Sequence, residues 1–292
     1  MKYYVTISLI IFFLKGAFAQ LPNIKFGQDN TLEIATWNIK QFGNQGKGPD
    51  NEEKQMQKIL ENLRFLNFDI IALQEITNQA SFESMVMKSD YQGIRSNEGS
   101  KSQNLAILWN PNAVELLENR QILVSEKHTF AQRVPHQFKF RDKTGAIGEE
   151  FYVIIIHLKA HIPFASVESN DNSYKRRATS GKLLTEYIDA SLNDKKVIVI
   201  GDWNDDVDQS NYNYNPTPFQ SILDNPNYNF ATKHLSWAGA SSSVYGSVID
   251  HILISNELFK EQYQTGIAYL KTYDKNYNDD LSDHYPVYII FK

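Results

Sequence analysis

The chain contains no cysteine among its 292 residues, which excludes a disulfide framework and any metal site built on cysteine sulfur. It also lacks an excess of positive charge, because 29 lysines and arginines stand against 34 aspartates and glutamates. A broad basic surface for static nucleic-acid binding is therefore not expected. Two hydrolase patterns are missing as well: the H-E-x-x-H spacing of zinc peptidases and the G-x-S-x-G turn of serine hydrolases.

The longest apolar run lies at the N-terminus and is too short to cross a bilayer. Residues 5–14 are almost entirely apolar, Lys2 precedes them, Lys15 follows them, and Ala17-Phe18-Ala19 offers a small-x-small cleavage site. We therefore expect residues 1–19 to be a secretory signal peptide. The mature protein would then be secreted, either to the periplasm or out of the cell.

The remaining residues, 20–292, are expected to form a single domain. With 42% hydrophobic and 13% aromatic residues, the chain can bury a large core without covalent cross-links. No repeat, change of composition or Pro/Gly/Ser-rich linker divides it, and the polar stretches 43–51 and 205–215 have the composition of loops.

Short, apolar, β-branched segments indicate strands, and most of them have the pattern of strands buried on both faces. These segments cover residues 32–37, 69–73, 105–109, 151–156, 197–200, 248–254 and 287–291. Two amphipathic helices are predicted, over 52–66 and 174–192, because apolar side chains recur there along one stripe. Many strands with few helices predict an α/β architecture in which sheets pack together and helices lie outside.

Polar side chains capable of chemistry recur at the ends of these strands. A side chain in that position is held by a rigid element and opens onto a loop-lined cleft. Each one alone is explained as well by a polar cap on a surface strand, but six such strand ends are much harder to explain in that way. The residues are Asn38, Glu75, His157, Asp202 with Asn204, Asp250, and Asp283 with His284.

The chemistry of this set points to a phosphate ester. Its carboxylate and amide oxygens are the hard ligands that Mg²⁺ or Mn²⁺ prefers. The imidazoles of His157 and His284 can donate to a phosphate, and Asp250 can fix the tautomer of one of them. Metal ion, carboxylate base and imidazole together predict metal-assisted hydrolysis.

Six motifs spread over the chain carry a family resemblance. They are Ala35-Thr-Trp-Asn-Ile39, Leu73-Gln-Glu-Ile76, Ile156-His-Leu-Lys159, Gly201-Asp-Trp-Asn204, Ile249-Asp-His-Ile252 and Ser282-Asp-His-Tyr-Pro286. In content and order they resemble the endonuclease/exonuclease/phosphatase superfamily, the deoxyribonuclease I-like proteins, and its exported bacterial nucleases most. The resemblance implies a four-layer α/β/β/α sandwich: two mainly antiparallel sheets packed together, helices outside, and the site at one edge of the sheets.

The resemblance also implies a metal-binding group and a water-activating group. Glu75 would be the main metal ligand, with Asn38 and Asp283 beside it. Asp202 would activate water or hold a second metal, and Asn204 would position Asp202.

Phosphate contacts are implied for three further positions. His157 would contact the phosphate or act as an acid, and His284 with Asp250 would form a pair on the scissile phosphate. Arg133, in Gln132-Arg-Val-Pro135, resembles an arginine whose fork bonds a substrate phosphate. A solvated surface arginine remains the open alternative for Arg133.

Departures from deoxyribonuclease I are visible at two positions. That enzyme has a glutamate behind its first catalytic histidine, whereas the matching position here is Gln103. A glutamine can orient His157 but cannot stabilise its cation, which weakens the case for His157 as a general acid. An arginine that follows the metal-binding glutamate by two residues is replaced by Thr77.

Three weaker features lie outside these motifs. Asp205, Asp206 and Asp208 could hold a structural Ca²⁺, but their spacing lacks the glycine and distal glutamate of an EF-hand, which favours ordinary loop polarity. Tyr212 and Tyr214 could stack on bases or simply pack within their loop. The run 175–177, Lys-Arg-Arg, is expected to form a solvated helix turn rather than a phosphate contact.

The function expected from the sequence is a secreted, Mg²⁺- or Mn²⁺-dependent endonuclease that hydrolyses DNA with little sequence preference. RNA remains an open alternative substrate. The alternative is a phosphodiesterase or phosphatase acting on a lipid or inositol phosphate, similar to a sphingomyelinase. The polar loop 205–215 argues against a lipid substrate, because it lacks an apolar hairpin. We expect a monomer without a stable protein partner or a membrane span.

Overall fold

The computed structural model describes residues 26–28, 30–97, 103–161, 166–244 and 246–292. The expected signal peptide, residues 1–19, lies outside these described residues. No helix within them has both the length and the apolar character that crossing a membrane requires. The α-helices are α1 (Glu52–Leu66), α2 (Gln79–Met87), α3 (Val167–Ser191), α4 (Gln220–Leu223), α5 (Lys233–Trp237) and α6 (Tyr277–Asp280).

Two six-stranded sheets form the centre of the molecule. The first contains β1 (Leu32–Phe42), β2 (Ile70–Ile76), β3 (Gln92–Arg95), β4 (Asn104–Trp109), β11 (Tyr263–Ile267) and β12 (Val287–Phe291). The second contains β5 (Val114–Gln121), β6 (His136–Asp142), β7 (Glu150–His157), β8 (Val197–Asp202), β9 (Tyr228–Phe230) and β10 (Asp250–Ser255).

Both sheets have the same plan, with one parallel pair at the centre and antiparallel strands on either side. The strand order is β11-β12-β1-β2-β4-β3 in the first and β5-β6-β7-β8-β10-β9 in the second. The parallel pairs are β1 with β2 and β7 with β8. Two mainly antiparallel sheets with helices outside are the predicted α/β/β/α arrangement, which the structure confirms.

The central strands are apolar throughout because they are covered on both faces. In β7, Val153 and Ile155 belong to the core between the two sheets. Ile154 and Ile156 face the other way, into a second cluster with Leu184 of α3. Side chains alternate between the faces of a strand, so unbroken β-branched runs are required wherever both faces are buried.

The helix and strand predictions differ in accuracy. Helix α1 is found over the predicted residues: the Asn51 side chain accepts a hydrogen bond from Lys54 N, and Asn67 ends the helix in a left-handed conformation. Helix α3 begins at Val167, seven residues before its predicted start. The first two turns are polar and carry no apolar stripe, so the sequence pattern did not reveal them. Strands β3, β5, β6, β9 and β11 were not predicted, and most of them are short or lie towards the sheet edges.

The expected solvated turn at residues 175–177 is wrong for Arg177, which is completely buried. Its Nε and Nη2 donate to Asp205 Oδ2 at 3.1 and 2.8 Å, and its Nη1 donates to Lys159 O at 2.8 Å. Asp205 also accepts from Ser210 Oγ and Asn211 N. The Asp205 carboxylate is therefore engaged by protein donors, and this ion pair ties α3 to the loop that follows β8.

Removal of the Arg177 side chain should destabilise the fold. Arg177→Met leaves a buried carboxylate without its cation, so we expect the free energy of unfolding, measured in urea, to fall by about 3–5 kcal/mol. Lys175→Met is the matched control, because Lys175 lies on the same helix in an exposed ion pair with Asp171. Equal effects of the two substitutions would contradict a structural role for the buried pair.

Candidate active site

An open cleft of about 1020 Å³ gathers the predicted site residues. Asp250 is the exception, since it lies fully buried behind His284 and does not line the cleft. The predicted residues that line it are Asn38, Glu75, Arg133, His157, Asp202, Asn204, Asp283 and His284.

Strand register explains why these residues meet. In the first sheet, Asn38 of β1 pairs with the residue before Glu75 of the parallel strand β2. In the second sheet, His157, Asp202 and Asp250 occupy paired positions on β7, β8 and β10. Paired residues on neighbouring strands project from the same face, which brings the second group together. In the first sheet the register is irregular between Leu73 and Ile76, where Glu75 has a positive φ, so the alternation of side chains does not apply to Glu75.

Gly201 permits the close approach of two of these strands. Its φ is +155°, and a Cβ at this position would lie 2.1 Å from Ile156 O. A side chain at residue 201 would therefore push β8 away from β7, and with it Asp202 away from His157.

Asp202 connects the two sheets through its side-chain hydrogen bonds. Its Oδ2 accepts a hydrogen bond from Asn38 Nδ2 at 3.1 Å and lies 3.4 Å from His157 Nε2. Its Oδ1 accepts from Asn204 N at 2.9 Å, as expected for a residue that positions Asp202. Burial raises the pKa of Asp202 to about 7, and the nearby Asp250 carboxylate adds to the rise.

His284 and Asp250 form the predicted pair. His284 Nδ1 donates to Asp250 Oδ2 at 2.8 Å, and Ser242 Oγ donates to the same oxygen at 2.8 Å. Burial alone would lower the pKa of His284, but the Asp250 carboxylate outweighs it and raises that pKa to about 10. His284 is therefore an imidazolium at neutral pH, with Nε2–H left for a ligand in the cleft.

His157, in contrast to His284, is a neutral imidazole. Burial lowers its pKa well below the ordinary value, and the positive charges of Arg133 and His284 lower it further. A neutral imidazole can accept or donate a hydrogen bond to phosphate but supplies no cation. Among the described residues, His157 Nδ1 has no hydrogen-bond partner.

Gln103 contacts Glu75 and Arg133, not His157 as the comparison with deoxyribonuclease I suggested. Gln103 Nε2 donates to Glu75 Oε1 at 2.9 Å, and Gln41 N donates to Glu75 Oε2 at 3.0 Å. Arg133 Nη1 donates to Gln103 Oε1 at 2.6 Å. Glu75 has a φ of +66°, which non-glycine residues rarely adopt. Its backbone is therefore strained, and the hydrogen bonds to its side chain help to hold it in this conformation.

Arg133 is partly buried and bonded to the protein, rather than a solvated surface arginine. Its Nε donates to His157 O at 2.9 Å and its Nη2 to Leu158 O at 2.7 Å. Burial lowers its pKa to about 10, so the guanidinium still carries its charge at neutral pH. Much of the fork expected to hold a substrate phosphate is thus occupied by protein acceptors, and Arg133 braces the strand end that carries His157.

The donor set fits a divalent cation. Glu75, Asp202 and Asp283 bring hard carboxylate oxygens to one cleft, and Asn38 adds an amide. One oxygen or nitrogen from each of Asp202, Asp250 and His284 also lies within 4.8 Å of the others, but an imidazolium bonded to Asp250 has no lone pair for a metal, so this group is the weaker candidate. Buried carboxylates that raise one another's pKa are stabilised by a nearby cation, which is the physical argument for a metal here.

Several residues of the cleft and its support were not singled out from the sequence. Ser282 Oγ donates to Asn38 O at 2.6 Å and accepts from His284 N at 3.0 Å, so it joins the two groups. Besides the lysine of the Ile156–Lys159 motif and the arginine at the centre of the run 175–177, which was expected to be a solvated turn, no sequence pattern indicated the cations and further histidines of the cleft wall. They are His128, Lys159, His161 and Arg176.

The tyrosines of loop 205–215 have different environments. Tyr212 is buried and packs against His161, with ring centroids 5.5 Å apart, so it serves loop packing. Tyr214 is 83% exposed at the cleft and remains free to stack on a ligand.

Comparison with known proteins agrees with this geometry. The sequence model of the Endonuclease/Exonuclease/phosphatase family matches residues 35–284, which is most of the chain. The chain belongs to the endonuclease/exonuclease/phosphatase family. Members of this family are hydrolases of phosphodiesters or phosphate esters and generally depend on divalent metal ions. No curated protein sequence matches the chain.

Solved structures of family members share the fold at low sequence identity. TDP2 of D. rerio, complexed with a single-strand DNA product, is 15% identical with a TM-score of 0.65, covering 90% of this chain and 100% of that chain. The human Nocturnin catalytic domain is 19% identical with a TM-score of 0.64, covering 91% and 95%. A mannosyl-6-phosphatase of Bacteroides thetaiotaomicron is 18% identical with a TM-score of 0.58, covering 88% and 98%.

His284 and Asp250 should act as one unit. We expect His284→Ala to lower the rate of phosphodiester hydrolysis by about 10²–10⁴-fold, the usual contribution of a positioned acid–base group. Asp250→Asn should have a comparable effect, because it removes the charge that keeps His284 protonated. The double variant should lose little more than the worse single variant. Losses that multiply independently would contradict a coupled pair.

Gln103 should position Glu75 for a cation. Gln103→Met keeps the side-chain length but removes both hydrogen bonds, so we expect Mg²⁺ affinity, measured by titration calorimetry, to fall by about 10–100-fold. Gln79→Met is the control, because Gln79 lies exposed on α2. Unchanged Mg²⁺ affinity in Gln103→Met would show that Glu75 is oriented without Gln103.

Proposed function

We propose that this protein is a divalent-metal-dependent endonuclease that hydrolyses the phosphodiester bonds of DNA. The observation that carries the proposal is one open cleft with hard carboxylates and the Asp250-bonded His284 at its base and cationic side chains along its wall. Because the cleft is open to solvent and not an enclosed cavity, it can accept an internal phosphodiester of a long chain.

The residues at the base of the cleft suit attack of water on phosphorus. Mg²⁺ or Mn²⁺ bound by Glu75, Asn38 and Asp283 would offset the phosphate charge and act as a Lewis acid. Asp202, held by Asn38 and Asn204, takes the proton of the attacking water. His284 donates a hydrogen bond from Nε2 to the phosphate as negative charge grows and the bond from phosphorus to the leaving oxygen breaks, and Asp250 keeps that imidazole protonated.

The wall of the cleft supports a polynucleotide over a small ester. Lys159 and Arg176 line the cleft together with the catalytic residues. Burial lowers the pKa of each side chain, and neighbouring arginines lower the pKa of Lys159 further. Two cations next to the catalytic residues can contact phosphates other than the reacting one. The exposed Tyr214 ring offers a stacking surface for a base.

The lipid or inositol-phosphate alternative has less support. Loop 205–215 presents Tyr214 among polar residues, so no apolar finger forms there for insertion into a membrane. TDP2 in complex with DNA and the mannosyl-6-phosphatase both have this fold, and a fold shared at this identity does not choose between their substrates.

Secretion belongs to the same proposal. Its basis is the charged, apolar and small-residue sequence of residues 1–19. We expect the protein recovered outside the cytoplasm to lack residues 1–19, which its intact mass would show. We also propose that the mature chain acts as a monomer.

Plasmid DNA tests the substrate class. With Mg²⁺ or Mn²⁺, the protein should convert supercoiled plasmid to nicked and then linear DNA, and EDTA should stop the reaction. The rate should fall as salt rises, because each phosphate contact releases counterions. Intact plasmid beside rapid hydrolysis of sphingomyelin or an inositol phosphate would overturn the nuclease proposal and favour the alternative.

Glu75→Gln tests the metal-dependent step. The substitution keeps the size of the side chain and removes the charge of the main proposed ligand, so nicking should be abolished while the circular-dichroism spectrum is unchanged. Glu83→Gln on α2 is the matched control and should nick at the wild-type rate. Wild-type nicking by Glu75→Gln at saturating Mg²⁺ would remove Glu75 from the metal site.

A further inference from the structure

A second groove, of about 1070 Å³, lies beside the catalytic cleft. Helix α5 lines both: Ser236 belongs to the cleft, whereas Lys233, His234 and Trp237 belong to the second groove. Strands β9 and β11, the residues just before β1 and the end of β12 with Lys292 supply the rest of the wall. None of the catalytic residues lines this groove.

The side chains of the second groove are cationic, aromatic and amide-bearing. Lys233 and His234 supply nitrogen donors, and Asn229 and Gln264 supply amides that can bond base edges. No aspartate or glutamate is found among the described residues that line it, although acids outnumber bases in the whole chain. An acid-free groove of this composition suits an anionic ligand with polar rings, not a lipid chain.

Trp237 is the most unusual feature of the groove. It is 65% exposed, although tryptophan is a large apolar side chain that proteins usually bury. Lys233 Nζ lies 5.1 Å from its ring centroid, and Trp237 Nε1 donates to Asp208 Oδ1 at 2.7 Å. The indole is therefore fixed from two sides while much of its surface stays open, which is a preorganised stacking platform.

The same hydrogen bond connects the two grooves. Asp208 lines the catalytic cleft, and its partner Trp237 lines the second groove. A chain that leaves the cleft past Asp208 would meet the indole next and then Lys233.

We propose that the second groove is a binding site for single-stranded polynucleotide that continues from the catalytic cleft, with a base stacked on Trp237 and a phosphate bonded by Lys233 and His234. The site rests on the proposed nuclease function and gives it a second point of contact away from the reacting bond. Stacking is tolerant of base identity, so this contact adds affinity without sequence preference.

Binding of a fluorescent 20-nucleotide single strand tests the site directly. Fluorescence anisotropy is measured in EDTA, so that cleavage plays no part. We expect Trp237→Leu and Lys233→Glu each to weaken binding by about tenfold, the order found for one stacked base or one lost phosphate contact. Lys233→Glu should also reduce the dependence of binding on salt.

Two control variants match these changes in chemistry. Lys260→Glu reverses an exposed charge, and Tyr273→Leu removes an exposed aromatic ring, and neither residue lines the cleft or the second groove. Both should bind like the wild type. Equal affinities across all four variants, or no binding by the wild type, would overturn the second site.

A small substrate separates this inference from the proposed function. Bis(4-nitrophenyl) phosphate fills only the catalytic cleft, so Trp237→Leu and Lys233→Glu should hydrolyse it at the wild-type rate. If the rate of hydrolysis of this substrate fell as much as strand binding, the second site would be overturned. Trp237 and Lys233 would then act by supporting the structure of the catalytic cleft. Strand binding that depends on Trp237 and Lys233, beside a wild type that leaves DNA intact with Mg²⁺, would keep the groove and refute the nuclease.

Discussion

Crowding of buried acidic groups at one edge of two sheets is the constraint on which this molecule depends. Asp202 and Asp250 are both almost fully buried on neighbouring strands, and Glu75 contributes to the same field. Such a cluster is costly unless hydrogen-bond donors and cations offset it. Here the protein provides two partial solutions, Asn38 as a donor to Asp202 and His284 as a cation beside Asp250, and a divalent cation would complete the neutralisation.

The scaffold brings the strand ends that carry these acids to one edge. Each sheet has a single parallel pair at its centre, and the carboxyl ends of both pairs reach the same cleft. Backbone strain is concentrated there too, since Glu75 and Asn204 both have positive φ values. Strained non-glycine residues cluster at functional sites, where surrounding contacts hold the geometry that catalysis needs. The remainder of the fold serves to hold this edge rigid.

The sequence predicts the centre of the fold and its chemistry well. Runs such as 151–156 and 197–200 are typical of strands covered on both faces. His157 and Asp202, just beyond these runs, mark the edge that bears the site. Edge strands such as β3 and β11 escape prediction because solvent on one side removes the apolar pattern. Arg177 escapes for a different reason: a buried arginine and a solvated one have the same letter, and only its partner Asp205, far along the chain, distinguishes them.

The site shows the same division between local and long-range information. Candidate residues are visible from strand ends, but their charge states are not. His157 and His284 look alike in sequence, yet burial among cations leaves one neutral, whereas Asp250 keeps the other protonated. The contact of Gln103 with Glu75 joins two strands of one sheet, and no spacing within either motif contains it.

Under the proposed function, the cleft is divided into a cation-binding side at Glu75 and a proton-holding side at Asp250 and His284. Anomalous scattering from crystals soaked in Mn²⁺ locates the cation without reference to activity. We expect the anomalous peak to be bonded to a Glu75 carboxylate oxygen, with His284 still bonded to Asp250. A peak found only between Asp202, Asp250 and His284, with Glu75 free of metal, would contradict that division.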